Sequence, residues 1–225
     1  THPSIKNVQD AQPSGAALVS FNAEAFESFG RKQNLNAPMG KETAFAYTSA
    51  LNSLTVDKDH RQHIGDMTVV YFAEDAEPVY QDVMDLCFAG SDDRVTDAEL
   101  HSILQNIAAG KQTDFAGKTL SPDDRFYLLG ISPNASRLSV RCFRQSSFGD
   151  VISRIKQHYD DIAIVTDNRS KWVDIPLWAL LRETVNPNAN DKTPAPQMAG
   201  DTLRAVLTGG RYPETLYRRT LLRIR

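Results

Sequence analysis

Apolar and polar positions divide this chain into short strand-like runs and medium helical patterns, separated by turn-forming residues. Residues 1–14 are polar, carry Pro3 and Pro13, and predict an extended lead-in. The small and β-branched residues at 16–21 predict a short buried strand. Residues 22–30 predict one helical turn with Ala25, Phe26 and Phe29 on one side. Asn34, Asn36, Pro38 and Gly40 make 31–40 a loop. Residues 41–54 predict a helix with Phe45, Ala46, Ser49, Ala50 and Leu54 near one face. A strand follows at 68–72, then helices at 78–88 and 97–109. Thr96 with Glu99 predicts a capping box at the start of the second helix, and Gly110 its stop.

The next unit is the clearest local architecture. Residues 126–131 predict a strand, Ser132-Pro133-Asn134-Ala135 a turn, and 137–144 a second strand. Val151, Ile152, Ile155 and Tyr159 mark a helix over 148–159, and 162–165 predict a third strand. Strand–strand–helix–strand over 126–165 is compatible with half of a ferredoxin-like fold. A helix at 174–185 has Pro176 in its first turn. Residues 186–197, NPNANDKTPAPQ, form a polar, Pro-rich linker. A helix at 202–208 stops at Gly209-Gly210, and Tyr212-Pro213-Glu214 opens the last helix. The fold class expected is α+β, with mixed helices, short antiparallel strands and a helical C-terminal part. Two regions are expected: a mixed part over 1–170 and a mainly helical part over 171–225 with its loop at 186–197.

Composition narrows the function classes. The 225 residues are 41% hydrophobic and 24% charged, ordinary values for a chain that buries a core. A net charge of −3 argues against indiscriminate nucleic-acid binding, so any polyanion contact must come from local clusters. Cys87 and Cys142 lie in apolar stretches and read as buried thiols in a reducing compartment. No apolar run approaches membrane-spanning length, and a cytoplasmic location is expected. The chain opens on Thr1 and closes on LYRRTLLRIR inside a helical pattern, which reads as a piece of a longer protein.

Three clusters have the chemistry to grip phosphate. In the first, the amides Asn22, Gln33, Asn34 and Asn36 accompany the cations Arg31 and Lys32, with almost no acid after Glu27. The same amides would also serve as caps in a plain surface loop. In the second, RLSVRCFR, alternation puts Arg137, Ser139, Arg141 and Phe143 on one strand face, opposite Leu138, Val140 and Cys142. Such a face, with Arg144 at its end, suits a phosphate backbone and a stacked base, or else pairs with acids on a helix. In the third, Arg204, Arg211, Arg218, Arg219, Arg223 and Arg225 face Glu214 alone, and Arg218 and Arg219 are close in angle. Asp57, Asp59, His60 and His63 have metal-ligand residue types, but a solvated linker is the simpler reading, and no metal or cofactor is expected. No nucleophile elbow, P-loop or dinucleotide fingerprint is present. Trp172 and Trp178 read as core-edge residues, and the pairs Asp92-Asp93, Asp123-Asp124 and Asp160-Asp161 as solvated turns.

Longer motifs carry a family resemblance. GAALVSFNAEAFESFG, QNLNAP, FAYTSALNSL, IGDMTVVYFAE, FYLLGISPNASRLSVRCF, LLRET and AGDTLRAVLTGGRYP occur in that order. Together they closely resemble the Csd family of CRISPR-associated proteins, large subunits of the type I-C Cascade. The match runs from HPSIK to the last arginines. The resemblance implies a central fragment, with an αβ region before it and a helical region after it in longer family members. It implies a non-enzymatic subunit of a crRNA-guided DNA surveillance complex in antiviral defence. Its expected partners are target DNA, crRNA, the backbone and crRNA 5′-end subunits, the small helical subunit and the helicase–nuclease. Its expected tasks are PAM recognition, R-loop stabilisation and recruitment of the nuclease. A structural segment touching only neighbouring subunits, and a metal-dependent nuclease, are the competing readings.

Overall fold

Met67–Ala73 (β2) is buried along its length except at Phe72, which places this run of β-branched and aromatic residues in the middle of a sheet. The structure is a computed structural model and describes residues 2–21, 23–58, 60–75, 77–90, 95–164, 175–190 and 192–224. Ahead of β2 lie α1 (Lys41–Val56) and β1 (Arg61–Ile64). After it come α2 (Val79–Ala89), α3 (Asp97–Ala108), and a small hairpin of β3 (Thr113–Phe115) and β4 (Lys118–Leu120). Then follow β5 (Arg125–Asn134), β6 (Arg137–Ser147), α4 (Phe148–Ile162), α5 (Leu177–Arg182), α6 (Pro196–Thr208) and α7 (Glu214–Ile224). The main sheet has four strands in the order β1-β2-β5-β6, all paired antiparallel. The protein is α+β, with antiparallel strands and a helical C-terminal part.

Both faces of the sheet are covered. On one face Val69, Tyr71, Phe126 and Leu128 enter a large core with α2, α3, α4 and α6, joined by Leu177 and Leu181 of α5 and Leu216 of α7. Phe148 anchors it, edge-on to Tyr80 at 4.8 Å and tilted against Phe126 at 5.2 Å, contacts worth about 0.5–1.5 kcal/mol each beyond area burial. On the other face Val70, Ile131 and Leu138 meet Leu51 of α1 and the lead-in residues Ile5, Val8 and Ala16. Side chains alternate along β2, so its two neighbours Val69 and Val70 serve different cores.

Several boundaries follow the sequence. The Thr96–Glu99 capping box forms in both directions, and Gly110 follows α3 with φ of 74°. Ser147 caps α4 through the Asp150 amide. Gly209 ends α6 in the left-handed region.

Others differ. Residues 16–21 make no strand, only isolated bridges from Ala16 to Ile5 and from Ala17 to Arg137. The β5–β6 turn falls after Asn134, because Ser132 and Pro133 still pair with Ser139 and Leu138. Helix α1 buries Ala44, Thr48, Leu51 and Thr55, and Phe45 of the expected face is 67% exposed. Thr48 and Thr55 donate to the carbonyls of Ala44 and Leu51 at 2.8 and 2.9 Å, which lets hydroxyls face the core. The strand expected at 162–165 does not form over 162–164: α4 runs through Ile162 and takes Asp160 and Asp161 with it, while residue 165 lies outside the described residues. Helix α6 starts at Pro196, inside the expected linker, with proline in its first turn.

Candidate nucleic-acid interface

The amide-and-cation segment folds back on itself. Glu24–Phe26 and Gln33–Asn36 are single 3₁₀ turns. Asn36 ties them together: its Nδ2 donates to the carbonyls of Arg31 at 2.7 Å and Gln33 at 3.0 Å. Its Oδ1 accepts from the Ser28 amide at 2.8 Å. Glu27 accepts from the Gln33 amide at 3.0 Å. Asn36 and the Gln33 backbone are therefore spent on the loop's own shape, as turn-forming amides often are. Asn34 is exposed, and its carbonyl accepts from Ala37 at 3.2 Å. Asn22 lies outside the described residues.

What the loop presents outward is different. Arg31 and Lys32 are exposed and have no ion-pair partner among the described residues. Phe29 is 97% exposed and Leu35 64%, so the apolar side expected from Ala25, Phe26 and Phe29 is not a buried one. Phe26 is instead covered by Arg137, whose guanidinium sits 3.7 Å from the ring centroid. That contact, with the Leu138 amide donating to the Ala17 carbonyl at 3.0 Å, joins the loop region to the start of β6.

The rest of the β6 arginines point elsewhere. Gly130 pairs with Cys142 while Ile131 pairs with Val140, which leaves Arg141 as an extra residue, a bulge. The bulge breaks the expected alternation: Leu138 packs in one core, Cys142 against the other, and Val140 is 49% exposed. Arg141 donates through Nε to Ser132 Oγ at 2.7 Å and lies 3.8 Å from Asp66. Around it is a cleft of about 690 Å³ in which Arg204 is likewise matched by Asp201 at 3.2 Å. Arg144 donates to Asp150 at 2.7 Å. The Ser146 hydroxyl first, and then Arg144, hold the Asp150 carboxyl below its ordinary range.

On α7, Arg218 chelates Glu214 through Nε and Nη2 at 3.0 and 2.7 Å, while Arg219 is exposed beside residues 184–188. Arg223 reaches Glu183 at 3.6 Å. Leu216 roots α7 in the large core, on the opposite side of the sheet from the lead-in segment. The three sequence clusters thus do not merge. Arg137 joins the loop; Arg141, Arg144 and Arg218 face carboxylates. Phe29 was expected on the packed side of a helical turn and stands outward instead, and the exposure of Leu35 had no sequence signal because a lone apolar residue in a loop has no period.

His60 and His63 do not share a helical face, since β1 begins between them. His60 sits between Asp57 at 2.7 Å and Asp82 at 3.1 Å. Burial lowers its pKa, but those hydrogen bonds and charges outweigh it, and the net shift is upward. Asp59 lies outside the described residues, and among those described no group of three or more His, Cys, Asp or Glu is placed to hold a metal. Both cysteines are free thiols, with pKa raised by burial. Trp178 donates to the Ala89 carbonyl at 3.3 Å with Arg182 over its ring, and Trp172 lies outside the described residues, as do Asp92 and Asp93. No described helix is long and apolar enough to cross a membrane.

A family model described as CRISPR-associated protein (Cas_Csd1) matches residues 1–225. The chain belongs to the Csd1 family of CRISPR-associated proteins. A search of curated proteins returns no match. In this Csd1-family chain, the long motif at residues 15–30 supplies the Ala16 and Ala17 bridges and the first part of the outward loop, and the motif at 126–143 forms most of the β5–β6 hairpin.

Proposed function

We propose that this Csd1-family chain is a non-catalytic part of a type I-C crRNA-guided surveillance complex in the cytoplasm, and that its loop at residues 23–39 touches target DNA. One observation carries the reading: Arg31 and Lys32 stand exposed, without an ion-pair partner among the described residues, on a loop braced by its own hydrogen bonds, with no acid between Glu27 and Glu42. A braced loop loses little entropy on binding, and free cations release counterions from phosphate. Arg137 extends the positive surface, while Arg141, Arg144 and Arg218 drop out of the contact set because acids already hold them. In the assembled complex this surface serves recognition of PAM-bearing DNA and stabilisation of the R-loop, and neighbouring faces serve the other Cascade subunits and helicase–nuclease recruitment.

The test is a salt titration of PAM-containing duplex binding by the assembled complex. Arg31→Ala with Lys32→Ala should weaken binding and flatten the dependence of log affinity on log salt by about 1.8, the release from two phosphates. An unchanged slope in an intact complex returns the chain to the structural reading. That second reading has its own support in Phe143 and Val140, 61% and 49% exposed on β6, which suit a neighbouring protein surface.

A further inference from the structure

We infer that Phe29 is a stacking residue that takes an unpaired base of single-stranded DNA, an inference that rests on the nucleic-acid reading of the loop. Phe29 is 97% exposed, more than any other large apolar side chain described. It holds φ of 53°, a region a bulky side chain rarely enters without a reason, and Gly30 continues in the same region at 66°. Apart from its chain neighbours, no described heavy atom comes within 4 Å of where a Gly30 side chain would begin, so the loop is open at that point.

The loop does not drift into this shape; the Asn36 amide and the Glu27 carboxylate hold it from behind. Arg31 and Lys32 follow at once in sequence and are unpaired among the described residues. An aromatic ring beside two free cations, in a stretch without acids, matches a base and its flanking phosphates. An apolar protein pocket would satisfy the ring but leave both cations without a counter-charge. Duplex DNA would satisfy the cations but keep its bases stacked away from the ring. A single strand satisfies both.

The experiment measures binding of the chain to single-stranded DNA, single-stranded RNA and duplex oligonucleotides by anisotropy, with photocrosslinking from 5-iodouracil. The parent should bind single-stranded DNA in the range of about 10⁻⁴ to 10⁻⁶ M, and the crosslink should map to Phe29. Phe29→Ala and Phe29→Leu should each weaken that binding about 5- to 150-fold, while Phe29→Trp should retain it and show indole quenching on binding. Full affinity in Phe29→Leu makes the contact merely apolar and overturns the proposal, as do tighter binding to RNA or duplex and a crosslink elsewhere. If only Arg31→Ala with Lys32→Ala weakens binding, stacking fails and the DNA-contact reading survives. If the parent chain binds no single strand, stacking fails; if the salt slope of the assembled complex is also unchanged by Arg31→Ala with Lys32→Ala, both readings fail.

Discussion

Arg137 and Arg144 come from one strand and do unlike things. Arg137 covers an aromatic ring and has no ion-pair partner among the described residues, whereas Arg144 is half-buried against Asp150. The distinction decides what each substitution will do. Arg144→Ala should cost about 1 kcal/mol of stability, the upper end for a partly exposed pair, and leave the salt dependence of DNA binding unchanged. Urea unfolding and a salt titration of the same variant check both halves; a flattened slope would restore Arg144 to the binding surface. Sequence could not sort these residues, because the acids that hold Arg141 and Arg144 sit beyond a turn or a helix start, on Asp66 and Asp150. It did single out Arg31 and Lys32 as cations in a run without acids, a feature visible in composition alone, and both are exposed. It overvalued Asn36, whose amide looks the same in a sequence whether it meets phosphate or its own backbone.

Elements were legible where a local rule fixes them. The capping box of α3, the Ser147 cap of α4 and the glycine stops depend on a few neighbouring residues. Strand phase in β6 was not legible, because one extra residue at Arg141 inverts the side-chain alternation and nothing in RLSVRCFR announces it. The buried face of α1 was hidden for a related reason: Thr48 and Thr55 bond inward to their own helix and can face the core. The β1–β2 turn yields the sharpest test at this scale. Gly65 has φ of 64°, and a β-carbon there would come within 2.7 Å of Ala199 Cβ on α6. Gly65→Ala should therefore destabilise the fold by about 2 kcal/mol or more, from left-handed strain and overpacking together. A chemical-denaturation midpoint equal to that of the parent would show that α6 yields freely at this contact.

At the scale of the whole molecule, α4 is tied to the approach of α7 through a buried histidine. His158 Nδ1 shares a 2.7 Å hydrogen bond with the Tyr212 hydroxyl, and its Nε2 is buried without a hydrogen-bond partner among the described residues. Burial lowers its pKa from 6.5 to about 4. The unfolded chain binds this proton first on acidification, so the stability His158 confers by staying neutral is present above about pH 6.5 and is lost as pH falls toward 4. The loss should be roughly 3 kcal/mol at most, read as the difference between urea unfolding at pH 7 and pH 4.5, and His158→Gln should shrink it. A parent whose stability is flat across that interval would contradict a neutral, sealed imidazole. Among the described residues the sheet has an open border, since β6 is its last strand and the lead-in segment pairs with only its first residues. A bare strand border invites another copy to dock on and polymerise. The surplus residue at Arg141 bends that border and sets a charged side chain on it, two features that disfavour the flat edge-to-edge pairing of a second copy.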